Sequence, residues 1–443
     1  MTGHRALARN HDFRLLWIGQ TINELGSRMS LFVFPLLAWQ LTHSALAAAA
    51  VEAVFLLGEA AALLPAGVLA DRLDRRKLMR LSSAAGMLLY ASLAVAGLLG
   101  LLTVPHLVGV ALLTGVAAGV HSPAETSAVR SVVPDEDLGT ALSQLQARQH
   151  VAGLVGAPVG GALYALARWV PFAGDALSYA VAWLLLGRVR TDLSAVAYDG
   201  PRTRARDEIR EGIAFTLGRP FFRTLLIWSA MANLTVNGLF FVAILRLVKG
   251  GFHPAEIGLV ETAAGVAGLL GALAAPRIID RFATGRLTVL VAWSFVPLVA
   301  PMVLWNRPGV VAGCLAVGML LNPAGNAGIG AYRVAMTPDR LQGRVGSAMR
   351  FLSTCTMPLS PVLGGALMAL FGGPVAIAAM GALTAFAALV VTLSRTVRTV
   401  PRPAVWQAEA AKLAAEPDAT EEQAAEKHAA EGQPPATAAA AAR

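Results

Sequence analysis

From Ala45 to Ala70 the chain carries only two polar side chains, Glu52 and Glu59, and then releases Asp71, Arg72, Asp74, Arg75, Arg76 and Lys77 almost together. A helix on the surface of a soluble domain would distribute such charges around one face. Withholding them for so long fits a helix that crosses the hydrocarbon of a bilayer, which takes about 20 apolar residues. The pattern recurs along the whole chain. It predicts twelve helical spans at about 13–40, 45–70, 78–102, 105–129, 138–166, 169–189, 221–247, 255–279, 286–305, 309–335, 342–371 and 374–395. Between them lie short breaks rich in Pro, Gly, Asp and Asn, such as "TVPH", "VVPDED", "GGFHP", "NRPG" and "FGGP".

Internal similarity refines this picture. Phe13-Arg14, Val51-Glu52 and Asp71-Arg72 return 209 residues later as Phe222-Arg223, Val260-Glu261 and Asp280-Arg281. Pro134-Asp135 and the "GGAL" at 160–163 return after 204 residues, as Pro338-Asp339 and 364–367. Five matches in order at a nearly constant offset indicate duplication. The expected fold is therefore an all-α polytopic membrane protein built from two six-helix repeats. Six is even, so both repeats enter the membrane from the same side and are parallel. The predicted boundaries are 1–189 for the first bundle, 190–220 for a central linker, 221–398 for the second bundle and 399–443 for a disordered tail. Two similar bundles facing a central cavity can rock about it, which points to a carrier.

Composition agrees. Of 443 residues, 56% are hydrophobic and 14% charged, and the mean hydropathy is +0.60; a soluble domain carries about 25% charge. The net charge of +9 suggests orientation rather than nucleic-acid binding. Bases crowd the loops on one side: Arg75, Arg76, Lys77 and Arg80, the linker arginines from Arg190 to Arg219, then Arg281, Arg286, Arg340 and Arg344. The other side holds Arg168, Lys249 and Arg307, with Arg246 close by. The positive-inside rule then places both termini in the cytoplasm of a multi-pass protein of the cell membrane. Cys314 and Cys355 offer neither a disulfide framework nor zinc spacing. No G-x-x-x-x-G-K-[ST] loop supports an ATP-driven pump, and no H-E-x-x-H supports an intramembrane enzyme. No cofactor, metal or nucleic acid is expected, and a monomer in the bilayer is.

The opening stretch supplies a more specific signal. Gly67, Asp71, Arg72, Arg75 and Arg76 fit G-x-x-x-D-R-x-x-R-R and resemble the loop between helices 2 and 3 of the major facilitator superfamily. That family usually has glycine before the final Arg pair, where this chain has Asp74. The segments "LTHSALAAA", "SPAETSAVRSVVPDEDL" and "LNPAGNAGIGAYRVAMTPDRLQGRVGSA" resemble the drug:proton antiporter branch that includes macrolide and siderophore exporters. The branch's G-P-x-x-G-G motif of helix 5 is approximated by Gly156, Pro158, Gly160 and Gly161, and again in helix 11 by Pro361, Gly364 and Gly365. The resemblance implies proton-coupled efflux of amphipathic small molecules, with the proton gradient as energy source. Uptake or lysophospholipid flipping on the same fold, or a non-transporting sensor or assembly factor, are the alternatives. It also implies that Asp71 gates the cytoplasmic side against the N-terminus of helix 11, with Asp280 and Arg281 as the repeated loop. Helices 1, 4, 7 and 10 would line the cavity, and helices 2 and 5 would pack on helices 11 and 8.

Charges at bilayer depth are functional hypotheses by default. Glu24 and Glu59 lie roughly 16 and 18 Å into their helices at about 1.5 Å per residue. Glu24 is the first candidate for proton coupling and substrate contact, because low dielectric favours a carboxyl that can load and release a proton; a permanent Glu24–Arg28 ion pair is the competing reading. Glu59 is the second candidate, and otherwise pairs with a base such as Arg148. His150 can titrate. Asn233, Asn237, Asn322 and Asn326 are neutral cavity candidates, or else bond between helices. Glu261, repeating Glu52, points to a structural or gating role.

Overall fold

The computed structural model describes Leu7 and residues 9–194, 205–338 and 341–406. Its long helices are α1 (His11–Thr42), α2 (Ala45–Arg72), α3 (Arg75–Leu98), α4 (Val104–Val132), α5 (Asp135–Leu166) and α6 (Val170–Arg188) in the first half. A helix of the linker, α7 (Ala205–Gly218), precedes α8 (Pro220–Lys249) and α9 (Pro254–Arg281). The last four are α10 (Thr284–Leu304), α11 (Pro308–Ala335), α12 (Arg344–Phe371) and α13 (Gly373–Leu393). Ten of these helices are long and apolar enough to cross a membrane by length and composition. The other two long ones, α1 and α5, have 32 residues each and so reach about 48 Å.

Local chemistry explains the helix ends. Asn10 caps α1 by accepting from Asp12 N and Phe13 N at 3.1 and 3.0 Å. Proline opens α4, α6, α8, α9 and α11, where its missing N–H costs nothing. The turn after α2 forms without the family's glycine because Asp74 is the N-cap of α3, in extended backbone, accepting from Arg76 N at 2.9 Å. Three second-half helices are interrupted at proline: α10 by a 3-10 turn at Val296–Leu298, α11 at Leu321 before Asn322-Pro323, and α12 by turns before Leu359.

Within the first half α1 packs on α5 and α6, α2 on α4, and α3 on α4 and α6; in the second, α9 packs on α11 and α8 on α12 and α13. Between halves, α5 lies on α9 and α2 on α12, the seam that the resemblance implied. The largest apolar core runs through both halves, joining Phe34, Val51 and Ala157 to Leu239, Ile257 and Met380. On the α7 side the cores separate: one holds Phe13, Met79, Val129 and Leu186, another Phe222, Tyr332 and Val391. The halves are thus joined on the side away from α7. Outward-facing leucines such as Leu88, Leu184, Leu273 and Leu370 remain exposed, an apolar girdle suited to lipid.

Candidate functional site

A cavity of about 620 Å³ opens between the halves. Its walls come from α1 (Arg28, Leu31, Phe32), α2 (Glu52), α5 (Gln149, Leu154), α8 (Asn237, Phe240, Phe241), α9 (Glu261, Leu269) and α11 (Met319, Asn322). Its charged lining is Arg28, Glu52 and Glu261, with Gln149, Asn237 and Asn322 as neutral polar groups on a wall that is otherwise apolar. The repeat thus brings its two related acids to one space. Helix α4, expected at the wall, contributes nothing to this lining; the seam helices α2, α5 and α9 take its place.

Small residues close the seam on the far side. A Cβ on Gly161 would lie 2.4 Å from the Pro254 carbonyl oxygen, and one on Gly258 2.6 Å from that of Ala157. At Gly365 it would lie 2.5 Å from Ala49 Cβ. Thr262 Oγ1 also donates to Leu154 O across the seam at 3.1 Å. Close backbone approach through glycine is how helices associate in lipid. The remaining motif residues serve packing within a half: Gly156 and Gly160 press on Arg28 and Met29, Gly364 on Val242. Pro158 meets Gly258 at the seam, and Pro361 is buried in α12.

The predicted acids have distinct settings. Arg28 Nε donates to Glu24 Oε1 at 2.9 Å, with the side chains 45% and 23% exposed, so the pair exists and stays open to solvent or ligand. Glu59 does not pair with Arg148. Arg148 Nη1 instead donates to Glu125 Oε1 at 2.7 Å, with both side chains buried. The reason is position: α4 delivers Glu125 to α5, while the Glu59 backbone packs against Gly119. Glu125 lies within "SPAETSAVRS" of α4, where a charge inside an apolar span is the signal that marks it. Beside it, His121 and Gln20 hydrogen-bond at 2.9 Å.

The four asparagines converge on a smaller cavity of about 300 Å³ inside the second half. Asn233 Nδ2 donates to Ser353 O at 3.1 Å and Asn237 Nδ2 to Asn233 O at 2.7 Å; Asn326 Nδ2 donates to Asn322 Oδ1 at 2.7 Å. Asn237 and Asn322 line both cavities. At the loop, Arg75 donates to Ser194 O at 3.2 Å and Arg76 to Thr191 O at 2.5 Å, tying it to the end of α6. Asp280 and Arg281 are exposed at the end of α9. The surroundings of Gly67, the side chains of Asp71, Arg72 and His150, and residues 407–443 of the expected tail lie outside the described residues. Cys314 is buried and Cys355 exposed, both as free thiols.

Known proteins are similar to this chain in sequence or in fold. The multidrug efflux pump Tap of Mycolicibacterium fortuitum is 27% identical over 366 residues, covering 77% of this chain and 85% of that one. Among solved structures, the nucleoside transporter NupG superposes with a TM-score of 0.69 at 11% identity, over 85% of this chain and 97% of that one. A bacterial homologue of the iron transporter ferroportin gives 0.67 at 17%, over 87% and 98%. The D-xylose-proton symporter gives 0.65 at 16%, over 87% and 99%. Residues 16–304 match the Major Facilitator Superfamily, and with its paired six-helix halves around one cavity the chain belongs to that transporter family.

Proposed function

We propose that this carrier exports amphipathic small molecules from the cytoplasm in exchange for protons, by alternating access, and that it moves solutes without making or breaking bonds. The observation that carries the reading is the cavity shared by both halves: apolar over most of its wall, with Glu52, Glu261 and Arg28 on it. Such a lining accepts an apolar body and a polar or cationic head. The drug-pump relative supports efflux. All twelve long helices then cross the cell membrane, with the basic loops, α7 and both termini in the cytoplasm. In that orientation the closed glycine seam faces outside, and the conformation is the one that loads from the cytoplasm. No cofactor enters the scheme, and one chain suffices.

Coupling is assigned first to Glu24. Protonation of its carboxyl would remove the charge that holds Arg28 and release the guanidinium toward the cavity it lines. Glu59 is the second candidate. Everted vesicles energised to an acid interior, with a pH-sensitive dye, provide the test. Macrolides, lipophilic cations or a siderophore should release protons from wild type, and Glu24→Gln or Glu59→Gln should abolish the release. Release undiminished in both variants would refute the assignment of these acids, and transport without proton movement would refute antiport.

A further inference from the structure

The face of α1 turned away from the cavity carries its own polar chemistry. Gln20, Asn23, Ser27 and Ser30 succeed one another at steps of three and four, which keeps them on one side of the helix over about 15 Å. Gln20, Asn23 and Ser30 are buried, and Gln20 Nε2 and Asn23 Oδ1 have no hydrogen-bond partner. Arg28, Leu31 and Phe32 face the cavity from the same helix, so α1 is the wall between cavity and stripe.

Each end of the stripe meets a titratable group. On the far side is Asp175 of α6, with 0% exposure. Its Oδ1 accepts from Ser178 Oγ at 3.0 Å, and its Oδ2 has no partner. Ser30 of α1, Tyr90 of α3 and Tyr179 of α6 border it. The backbone of α1 is pressed against it: a Cβ on Gly26 would lie 2.4 Å from Oδ1. No ion pair joins this carboxyl to a basic side chain among the described residues, and an ionised carboxylate buried without a cation is strongly disfavoured. Midway, Ser27 Oγ and Tyr179 OH hydrogen-bond at 3.1 Å. At the α7 end Gln20 meets His121, whose Nδ1 has no partner. Glu24 lies one turn beyond Gln20 on α1, and Glu125, one turn beyond His121 on α4, is paired with Arg148 of α5.

Buried polar atoms are almost always satisfied, and runs of orphans in a polar setting mark places for ordered water. We propose that this stripe is a proton path inside the first half, with Asp175 as its proton-holding end and His121 as its delivery end beside Glu24. It deepens the proton-coupled reading and rests on it. A proton leaves Asp175 Oδ2, is handed along Ser30, the Ser27–Tyr179 pair and water beside Asn23 and Gln20, and arrives at Nδ1 of His121, whose Nε2–H donates to Gln20 Oε1. The carboxylate left behind has no cation, so deprotonation works against the tight α1–α6 contact at Gly26. Movement of α1, one wall of the cavity, is thereby linked to the proton.

Infrared difference spectra of the unliganded full chain in lipid nanodiscs test the path without any substrate. Wild type should show a protonated-carboxyl band that shifts on exchange into heavy water; Asp175→Asn should lose it. Asn23→Leu should keep the band and slow its exchange. In proteoliposomes, Asp175→Asn should still move ethidium down its gradient and should lose the accompanying proton flux. A band that survives Asp175→Asn, or proton flux unchanged in that variant, would overturn the path and leave antiport standing. Wild type moving ethidium with no proton flux would overturn antiport and the path together.

Discussion

Arg148 of α5 and Glu125 of α4 form an ion pair at 2.7 Å with the side chains only 1% and 10% exposed. Two charges this deep are retained only because each offsets the other, and removing one leaves the other without a partner in low dielectric. Glu125→Gln or Arg148→Met should each cost about 3–5 kcal/mol. The double variant should recover most of that loss, since replacing both charges of a buried pair is often neutral or better. Thermal unfolding in detergent, run as a double-mutant cycle, reads the outcome. Single variants as stable as wild type would show that water, not Glu125, satisfies the arginine.

The far seam gives a second prediction. Gly161 and Gly258 let α5 and α9 touch backbone to backbone, and a methyl group at either position meets a carbonyl oxygen that has little freedom to retreat. Gly161→Ala and Gly258→Ala should therefore shift the carrier toward the state in which this side is open. A cysteine introduced on the far side of α9, in a background lacking Cys314 and Cys355, should become more reactive to a membrane-impermeant maleimide. Unchanged reactivity in both variants would show that the seam does not control access.

How much of this was legible beforehand depended on the range of the interaction. The twelve long helices lie close to the spans drawn from apolar runs, because crossing hydrocarbon is a local demand on composition. The pairing of α5 with α9 and α2 with α12 followed from the family resemblance, since parallel repeats share one topology. The glycine motifs were visible as spacing, while their partners, Pro254 for Gly161 and Ala49 for Gly365, needed three dimensions. Glu125, His121 and Asp175 are harder to read for a related reason: what gives each its setting sits on another helix, Arg148 of α5 for Glu125, Gln20 of α1 for His121 and the α1 backbone at Gly26 for Asp175. Pairing Arg148 with Glu59 failed there too, because depth along two helices does not say which way either side chain points.

The Glu24–Arg28 pair separates two roles by its exposure. A purely structural bridge at these exposures contributes only about 0–1 kcal/mol. Glu24→Gln should thus leave the unfolding temperature nearly unchanged while proton-coupled transport falls sharply. A large loss of stability with transport retained would instead make the pair a structural element.

A final prediction concerns the rim of the first half, just before the span drawn over 13–40. Asp12 Oδ2 accepts from Thr191 Oγ1 at 2.6 Å, Thr191 N at 2.7 Å and Arg190 N at 3.1 Å, fastening the start of α1 to the end of α6. Burial pushes this carboxyl up, but the bonds from Thr191, His11 and the Arg190 amide more than offset that and hold it well below the ordinary carboxylate range. A carboxyl that titrates lower when folded stabilises the fold above its unfolded value of about 3.9, and that stability is lost as pH falls below it. Hydrogen bonds to a charged group contribute about 1.5–3 kcal/mol each at most, so Asp12→Asn should cost on the order of 2 kcal/mol at neutral pH. The deficit should shrink as wild type is acidified through and below the unfolded value, where its own carboxyl takes up a proton. Unfolding curves of both proteins across that range decide it: a deficit that stays constant with pH would mean that the amide fails by geometry rather than by charge.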